Sequence, residues 1–299
     1  MVLLAIVAAG IVLAPAALSA TAATQPAATA LAPQSHHIGE TFDYSLHGEM
    51  SQSIMGQDAF GRRLNQVLAP TSVKGHESIA ITALSASLVS LERSGSVTAT
   101  VDGATPHTQP GSGFTTVDNR GAVLRDKGKL GGLFLLPVVF LGDQAMNQGN
   151  ALQIGDRWAG QLGTKLYGML SRPMLHFSVV GERTVLGVNV YSVIADGDVK
   201  MKEPVMTSTG EALGYATGVA HVTVHADYDR DNRRLVSMDI ELTDTLHYAV
   251  SKHIRGSVHD HQRYLVALDA SSMVTGQHNA MGSDPAADPP AESQSTPKL

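Results

Sequence analysis

Ala220-His221-Val222-Thr223-Val224-His225-Ala226-Asp227-Tyr228, followed after a polar turn by Val236-Ser237-Met238-Asp239-Ile240-Glu241-Leu242-Thr243, is the stretch that decides the fold. In both runs the even positions are apolar and the odd positions, with few exceptions, polar. A period of two sustained over this length puts one side of each strand in a core and the other in water, so both runs read as half-buried antiparallel strands. The intervening Arg230-Asp231-Asn232-Arg233-Arg234 has the composition of a turn. Opposed residues must share a face, which excludes a two-residue loop at Asp231-Asn232, because it would set Asp227 against Val236. A three-residue loop over Asp231 to Arg233 sets Tyr228 against Val236, Ala226 against Met238, Val224 against Ile240 and Val222 against Leu242. On the other face it sets His225 against Asp239 and Thr223 against Glu241. A slip of one residue would bury the polar set, so this register is strongly specified.

The same signals recur along the chain. Gly113 to Val117 and Ala122 to Leu124 flank Asp118-Asn119-Arg120-Gly121, where Gly121 can take the left-handed conformation that ends a hairpin loop. Val180 to Val193 reads as two strands around Gly187, or around a turn at Gly181-Glu182. Phe42 to Met50, Ile79 to Leu91, Ser96 to Asp102 and Tyr264 to Leu268 are further strand candidates, and their distribution suggests two similar halves. The exception is Leu130 to Met146, where Leu133-Phe134-Leu135-Leu136-Pro137-Val138-Val139-Phe140-Leu141 is the most apolar run after the N-terminal segment. Pro137 argues against a central strand there, and a short helix from Pro137 to about Asn147 fits. Gly155-Asp156-Arg157-Trp158 then turns back into a strand. The fold class expected is therefore mainly β, an antiparallel sheet with one or two short helices.

The N-terminus addresses location. The first charged side chain is Glu40, and Val2 to Leu13 has the length and character of a signal-peptide apolar region. Small residues follow Pro15, and Ala20 and Ala22 offer the small side chains a signal peptidase needs, with cleavage after Ala20 or Ala23 as alternatives. The competing reading is an uncleaved anchor, since Val2 to Ala20 could just span a bilayer core of roughly 30 Å. The expected organisation is a signal peptide over 1–23, a flexible lead-in over 24–38, one β-rich domain over 39–272 and a disordered tail over 273–299, whose Gly, Ser, Asp and Pro content cannot bury enough apolar surface to offset its ordering entropy. Such a chain is exported, to the periplasm or beyond. With no cysteine among the 299 residues, disulfides and thiolate metal sites are closed to it.

Composition excludes some partners. The formal charge is −6 and there is no basic stripe, so nucleic acid is not an expected partner. No nucleophile elbow, phosphate loop, dinucleotide fingerprint or zinc-protease helix motif is present, and no cofactor is implied. Among 13 histidines, His221 and His225 share a strand face but stand ~13 Å apart, too far to share a metal. His259 and His261, in an extended segment, project to one side ~6.6 Å apart. Two imidazoles at that spacing can bracket a zinc or copper ion if a third ligand comes from elsewhere. The bland alternative is a polar sheet-edge segment.

An export segment, long amphipathic antiparallel strands and an apolar mid-chain run, together with the Gly155 to Trp158 turn and the strand-glycine-strand run Val179 to Val193, resemble the LolA-like half-barrel proteins of the bacterial envelope. The resemblance covers about Thr41 to Leu268 and is one of pattern, carrying no functional residue with it. It implies a curved antiparallel sheet whose concave apolar side is covered by helices or holds a lipid-like ligand. On that reading Leu133, Phe134, Leu136, Val139, Phe140 and Leu141 line the ligand; as plain structure they are core. Three functions follow: a non-enzymatic envelope protein binding an apolar, lipid-like ligand, with an envelope protein as a further partner; a structural or interaction module that fills its own core; and a histidine-dependent metal protein at His259 and His261.

Overall fold

The computed structural model describes residues 37–58, 60–85, 87–118, 123–128, 152–161, 168–206, 212–230, 234–251, 254–270 and 272. They form a single antiparallel sheet of 12 strands that is not closed into a barrel. In chain order these are β1 (Thr41–Gln57), β2 (Arg63–Val67), β3 (Thr71–Leu84), β4 (Leu88–Val101), β5 (His107–Asp118), β6 (Val123–Gly128), β7 (Arg157–Gln161), β8 (Met174–Val185), β9 (Val188–Met206), β10 (Ala212–Asp229), β11 (Leu235–Ala249) and β12 (Arg255–Leu268).

The order across the sheet is β6-β5-β4-β3-β1-β12-β11-β10-β9-β8-β7, with β2 beside β1. Two meanders, β1 to β6 and β7 to β12, thus meet where β1 pairs with β12, from Tyr44 opposite Leu268 to Gln57 opposite Arg255. β2 and β3 lie along the same side of β1: Ser53 faces Val67 and Met50 faces Thr71, with the break at Leu68-Ala69-Pro70. Apart from that break, each strand pairs with its sequence neighbours and the last with the first, except at β6 and β7, the two edges of the sheet. The topology is that of an up-and-down meander whose two edge strands, β6 and β7, are left unpaired.

The hairpin read from sequence has the expected register. Val222 faces Leu242, Thr223 faces Glu241, Val224 faces Ile240, His225 faces Asp239 and Ala226 faces Met238. Only at the turn end does it differ: a bulge after Asp227 sets Tyr228 against Leu235 instead of Val236. Buried Arg234 sits at this end, its Nε 3.0 Å from Asp229 Oδ2 and one guanidinium nitrogen donating to the Ser272 carbonyl at 3.0 Å. The extra residue keeps Tyr228, Leu235 and Val236 all in the core.

Between β8 and β9 the turn falls at Leu186-Gly187, both with positive φ (50° and 83°), the two-residue geometry whose twist suits a hairpin. Of the two alternatives there, the one at Gly187 is therefore the turn, while Gly181 sits at a bulge. The Gly113 to Leu124 reading is matched by β5 and β6, which pair Val117 with Val123. Ile79 to Leu91 is corrected: it is the end of β3 and the start of β4, not one strand. Ser85 turns the chain, its amide donating to the Leu88 carbonyl at 2.9 Å and its Oγ accepting from the Leu88 amide at 3.0 Å. Ser96 to Asp102 belongs to the longer β4. Pro110 and Pro204 lie within strands, yet each is opposite a partner on one side only, Ser96 and Tyr215, so the missing N–H interrupts no ladder.

The two faces differ in kind. Phe42, Ile54, Ile79, Leu175, Ala220, Leu235 and Ile240 are fully buried on the inner face, and alternate residues of every long strand join the same core. Burying each large apolar side chain contributes about 1.5–3 kcal/mol. Outward lie His221, His225, Glu241, His261 and Arg263, all exposed. This is the inverse of a membrane-spanning barrel, which turns its apolar residues outward. No helix among the described residues is long and apolar enough to cross a membrane. Beyond a single turn at Asp269–Ser272, the described residues contain no helix. The helix expected from Pro137 to Asn147, the N-terminal segment over 1–36 and the tail over 273–299 lie outside the described residues.

Candidate functional site

A core built by alternation should be apolar throughout, and at one place this one is not. Along β1 the inner positions run Met50, Gln52, Ile54; along β11 Leu242, Asp244, Leu246, Tyr248; along β12 Val258, Asp260, Gln262, Tyr264; along β9 Met201, Glu203, Val205. The ladder brings the polar members together. Gln52 faces Asp260 across β1 and β12, and Asp260 faces Asp244 across β12 and β11. Four residues further along, beyond one intervening inner rung, Tyr248 and Glu203 flank Ala216 of β10. Gly56 and Gly256 stand opposite each other in the same row. A Cβ on either would come within 2.8 Å of the Tyr248 hydroxyl, so the two glycines make room for that side chain to lie across β12 and β1.

Some of this polar patch is internally bonded. The Tyr264 hydroxyl donates to Gln262 Oε1 at 2.9 Å, and Gln262 Nε2 donates to Asp260 Oδ2 at 2.8 Å. The rest is not. Gln52 Nε2 and Oε1, Asp244 Oδ1, Asp260 Oδ1 and the Tyr248 hydroxyl are buried with no hydrogen-bond partner, and the sole other such atom among the described residues is the Trp158 indole nitrogen. An orphaned buried polar atom costs about 1–3 kcal/mol, and native interiors rarely gather several in one place.

The electrostatics follow from burial. Loss of water pushes the Asp244 carboxyl from 3.8 up to about 8, with Asp260 and Glu203 adding to the rise and the Asp260 backbone amide opposing it. Burial, then Asp260, pushes Glu203 up to about 7. Asp260 is raised by burial against hydrogen bonds from Gln262 and the His261 amide. Burial also raises the Tyr248 and Tyr264 hydroxyls.

Buried acids elsewhere in this fold are treated differently. Glu77 of β3 is also raised by burial, to about 8, but it faces Arg93 of β4 at 3.3 Å. Arg93 is fully buried and reaches Asp126 of β6 at 2.6 Å and Thr115 Oγ1 at 2.7 Å. Asp229 has Arg234. Burial raises Asp227, but hydrogen bonds from Arg183, Ser237 and Ser192 outweigh it and hold the carboxyl low. Among the described residues no salt bridge reaches Glu203, Asp244 or Asp260, and the charges that act on them are mainly one another.

Of the residues singled out from sequence, His259 and His261 lie on the opposite, outer face. Leu133, Phe134, Leu136, Val139, Phe140 and Leu141 lie outside the described residues, in the connection between β6 and β7. His259 and His261 do share the outer face of β12, as their spacing requires. His259 Nδ1 lies 3.0 Å from Thr245 Oγ1 and its Nε2 3.3 Å from Ser257 Oγ, while His261 Nε2 lies 2.7 Å from Glu241 Oε1. Among the described residues no three metal-ligating side chains converge. His261 borders an outer cleft of about 560 Å³ with Glu49, Ser51, Asp102 and Arg263, at the break between β2 and β3; His259 does not line it. His225 and Asp239 are opposed, but the Asp239 carboxylate is taken by Arg263 of β12, at 2.6 Å.

Sequence reasoning missed Gln52, Glu203, Asp244 and Asp260. The signal was present: each carries a polar side chain at a position where its strand's alternation calls for an apolar one. What the alternation does not show is that four such departures on four strands become neighbours. The chain matches no model of a known protein family, and none of the curated proteins compared with it matches it either.

Proposed function

We propose that this chain is a non-enzymatic protein exported to the bacterial envelope, which binds a lipid-like ligand against the inner face of its sheet in the manner of a LolA-like half-barrel. The observation that carries the reading is the apolar inner face of a continuous meander whose two edge strands, β6 and β7, are left unpaired. A sheet left open at its edges keeps a way in to its apolar face. The connection between those edge strands in the sequence, residues 129–156, is also where the chain holds Leu133, Phe134, Leu136, Val139, Phe140 and Leu141. On this reading they line the ligand. The apolar segment Val2 to Leu13 supports export.

The test is native mass spectrometry of the protein expressed from its full sequence in a bacterial host, before and after organic extraction. Additional mass that extraction removes and that matches a lipid is the expected result, on a polypeptide beginning near Thr21 or Thr24. A bare polypeptide before and after extraction would overturn the carrier reading in favour of a module that fills its own core.

A further inference from the structure

Among the described residues, the inner face buries three carboxylates with no base to answer them, in a protein that elsewhere gives its buried acids an arginine. Glu203, Asp244 and Asp260 come from β9, β11 and β12, and none has a salt bridge, whereas Glu77 has Arg93 and Asp229 has Arg234. Among the described residues, the side chains that face the three carboxylates from the adjoining elements are Gln52 of β1, Ala220 and Ala216 of β10, Tyr248 of β11, and Gln262 and Tyr264 of β12. None is cationic. The lysines and arginines of the same strands, Lys200, Lys202, Arg255 and Arg263, are exposed on the opposite side.

An independent observation sharpens this. Gln52 is only 5% exposed, sits directly opposite Asp260, and has neither amide atom bonded. With Asp244 Oδ1, Asp260 Oδ1 and the Tyr248 hydroxyl also without partners, the patch offers mostly acceptors, and what it lacks is a group that donates several hydrogen bonds and carries positive charge. An ammonium has three N–H donors and no acceptor, which matches that deficit. Between the rung of Gln52, Asp260 and Asp244 and the rung of Tyr248 and Glu203 the inner face is apolar, with Ile54, Val258, Leu246 and Met201 all buried, and buried Val199 continues the first rung beyond Ala220.

We infer that the ligand of the inner face is a cationic amphiphile, whose amine head is held by Glu203, Asp244 and Asp260 with Gln52 and Tyr248 while its apolar portion lies on the surrounding core residues. This rests on the carrier reading proposed above and adds to it the chemical class of the head group. A neutral or anionic lipid would leave the carboxylates unanswered, and an anionic head would add repulsion.

The test uses the full mature protein after organic extraction, titrated with dodecylamine, 1-dodecanol and dodecanoate by calorimetry at neutral pH. Charge-assisted hydrogen bonds in a buried site predict that dodecylamine binds at least about tenfold more tightly than 1-dodecanol. In the variant Glu203→Gln/Asp244→Asn/Asp260→Asn that advantage should vanish while 1-dodecanol binds as before. The single variant Asp244→Asn should cut the advantage in part, and it serves if the triple variant does not fold. Equal affinity for amine and alcohol, tighter binding of dodecanoate, or an amine advantage that persists in the variants overturns the head-group assignment and leaves the carrier reading standing. If none of the three probes binds, the carrier reading itself fails.

Discussion

Replacing Asp244 by asparagine should stabilise the protein at high pH and leave it unchanged or weaker at low pH. In the unfolded chain this carboxyl releases its proton near 3.8, and in the fold it holds the proton to about 8. Between those values the unfolded state binds fewer protons, so the contribution of this group to stability is complete below 3.8 and is lost as pH rises toward 8. At about 1.36 kcal/mol per unit the loss at pH 7 reaches roughly 4 kcal/mol for the group taken alone. Glu203, Asp260, Tyr248 and Tyr264 face the same patch, and the two carboxyls share the penalty, so one substitution recovers a part of it. The amide also leaves polar atoms to satisfy, at about 1–3 kcal/mol. The net expectation is a gain of about 1–3 kcal/mol at pH 8 that disappears by about pH 4.5. Urea unfolding of both proteins across that range measures it, with Trp158, the one tryptophan, stacked on Phe177 at 5.2 Å as the fluorescent reporter. A difference between variant and parent that is flat with pH, or that favours the parent more as pH rises, refutes the argument that burial holds this proton.

Two other substitutions probe the scaffold. Arg93→Leu removes the cation between Glu77 and Asp126, and breaking a buried pair from one side costs about 3–5 kcal/mol; circular dichroism during urea unfolding should show it, the double variant Arg93→Leu/Glu77→Leu should recover part of the loss, and a loss below about 1 kcal/mol would contradict the cluster's role. Leu186→Asn places a residue that tolerates the left-handed conformation at the turn between β8 and β9, where Leu186 has φ 50° and is 70% exposed. It should raise the midpoint of thermal unfolding through a gain of about 0.5–1 kcal/mol, and a lower midpoint would show that the leucine side chain has a packing role outside the turn.

The strands, facing and register of the central hairpin were legible in the sequence by itself, because alternation with period two is a local property and one face of each strand had to be apolar, whereas Ile79 to Leu91, apolar through its turn, read as one strand and is two. His225 opposite Asp239 and Val224 opposite Ile240 followed from that constraint alone. The end of the hairpin did not, since the bulge at Asp227 and Tyr228 answers to the buried Arg234 and to Ser272, which the chain brings back from 38 residues away. Nor did the side-chain partnership of Asp239, because a carboxylate at one rung is shared among three strands, and Arg263 of β12 reaches it. The tertiary structure alone decided that β1 lies beside β12, and so that Gln52 and Asp260, more than two hundred positions apart, stand opposite one another. Each polar residue of the inner patch is a lone departure within its own strand. Only pairing across the sheet, through backbone hydrogen bonds that carry no sequence signature, gathers them into one buried cluster.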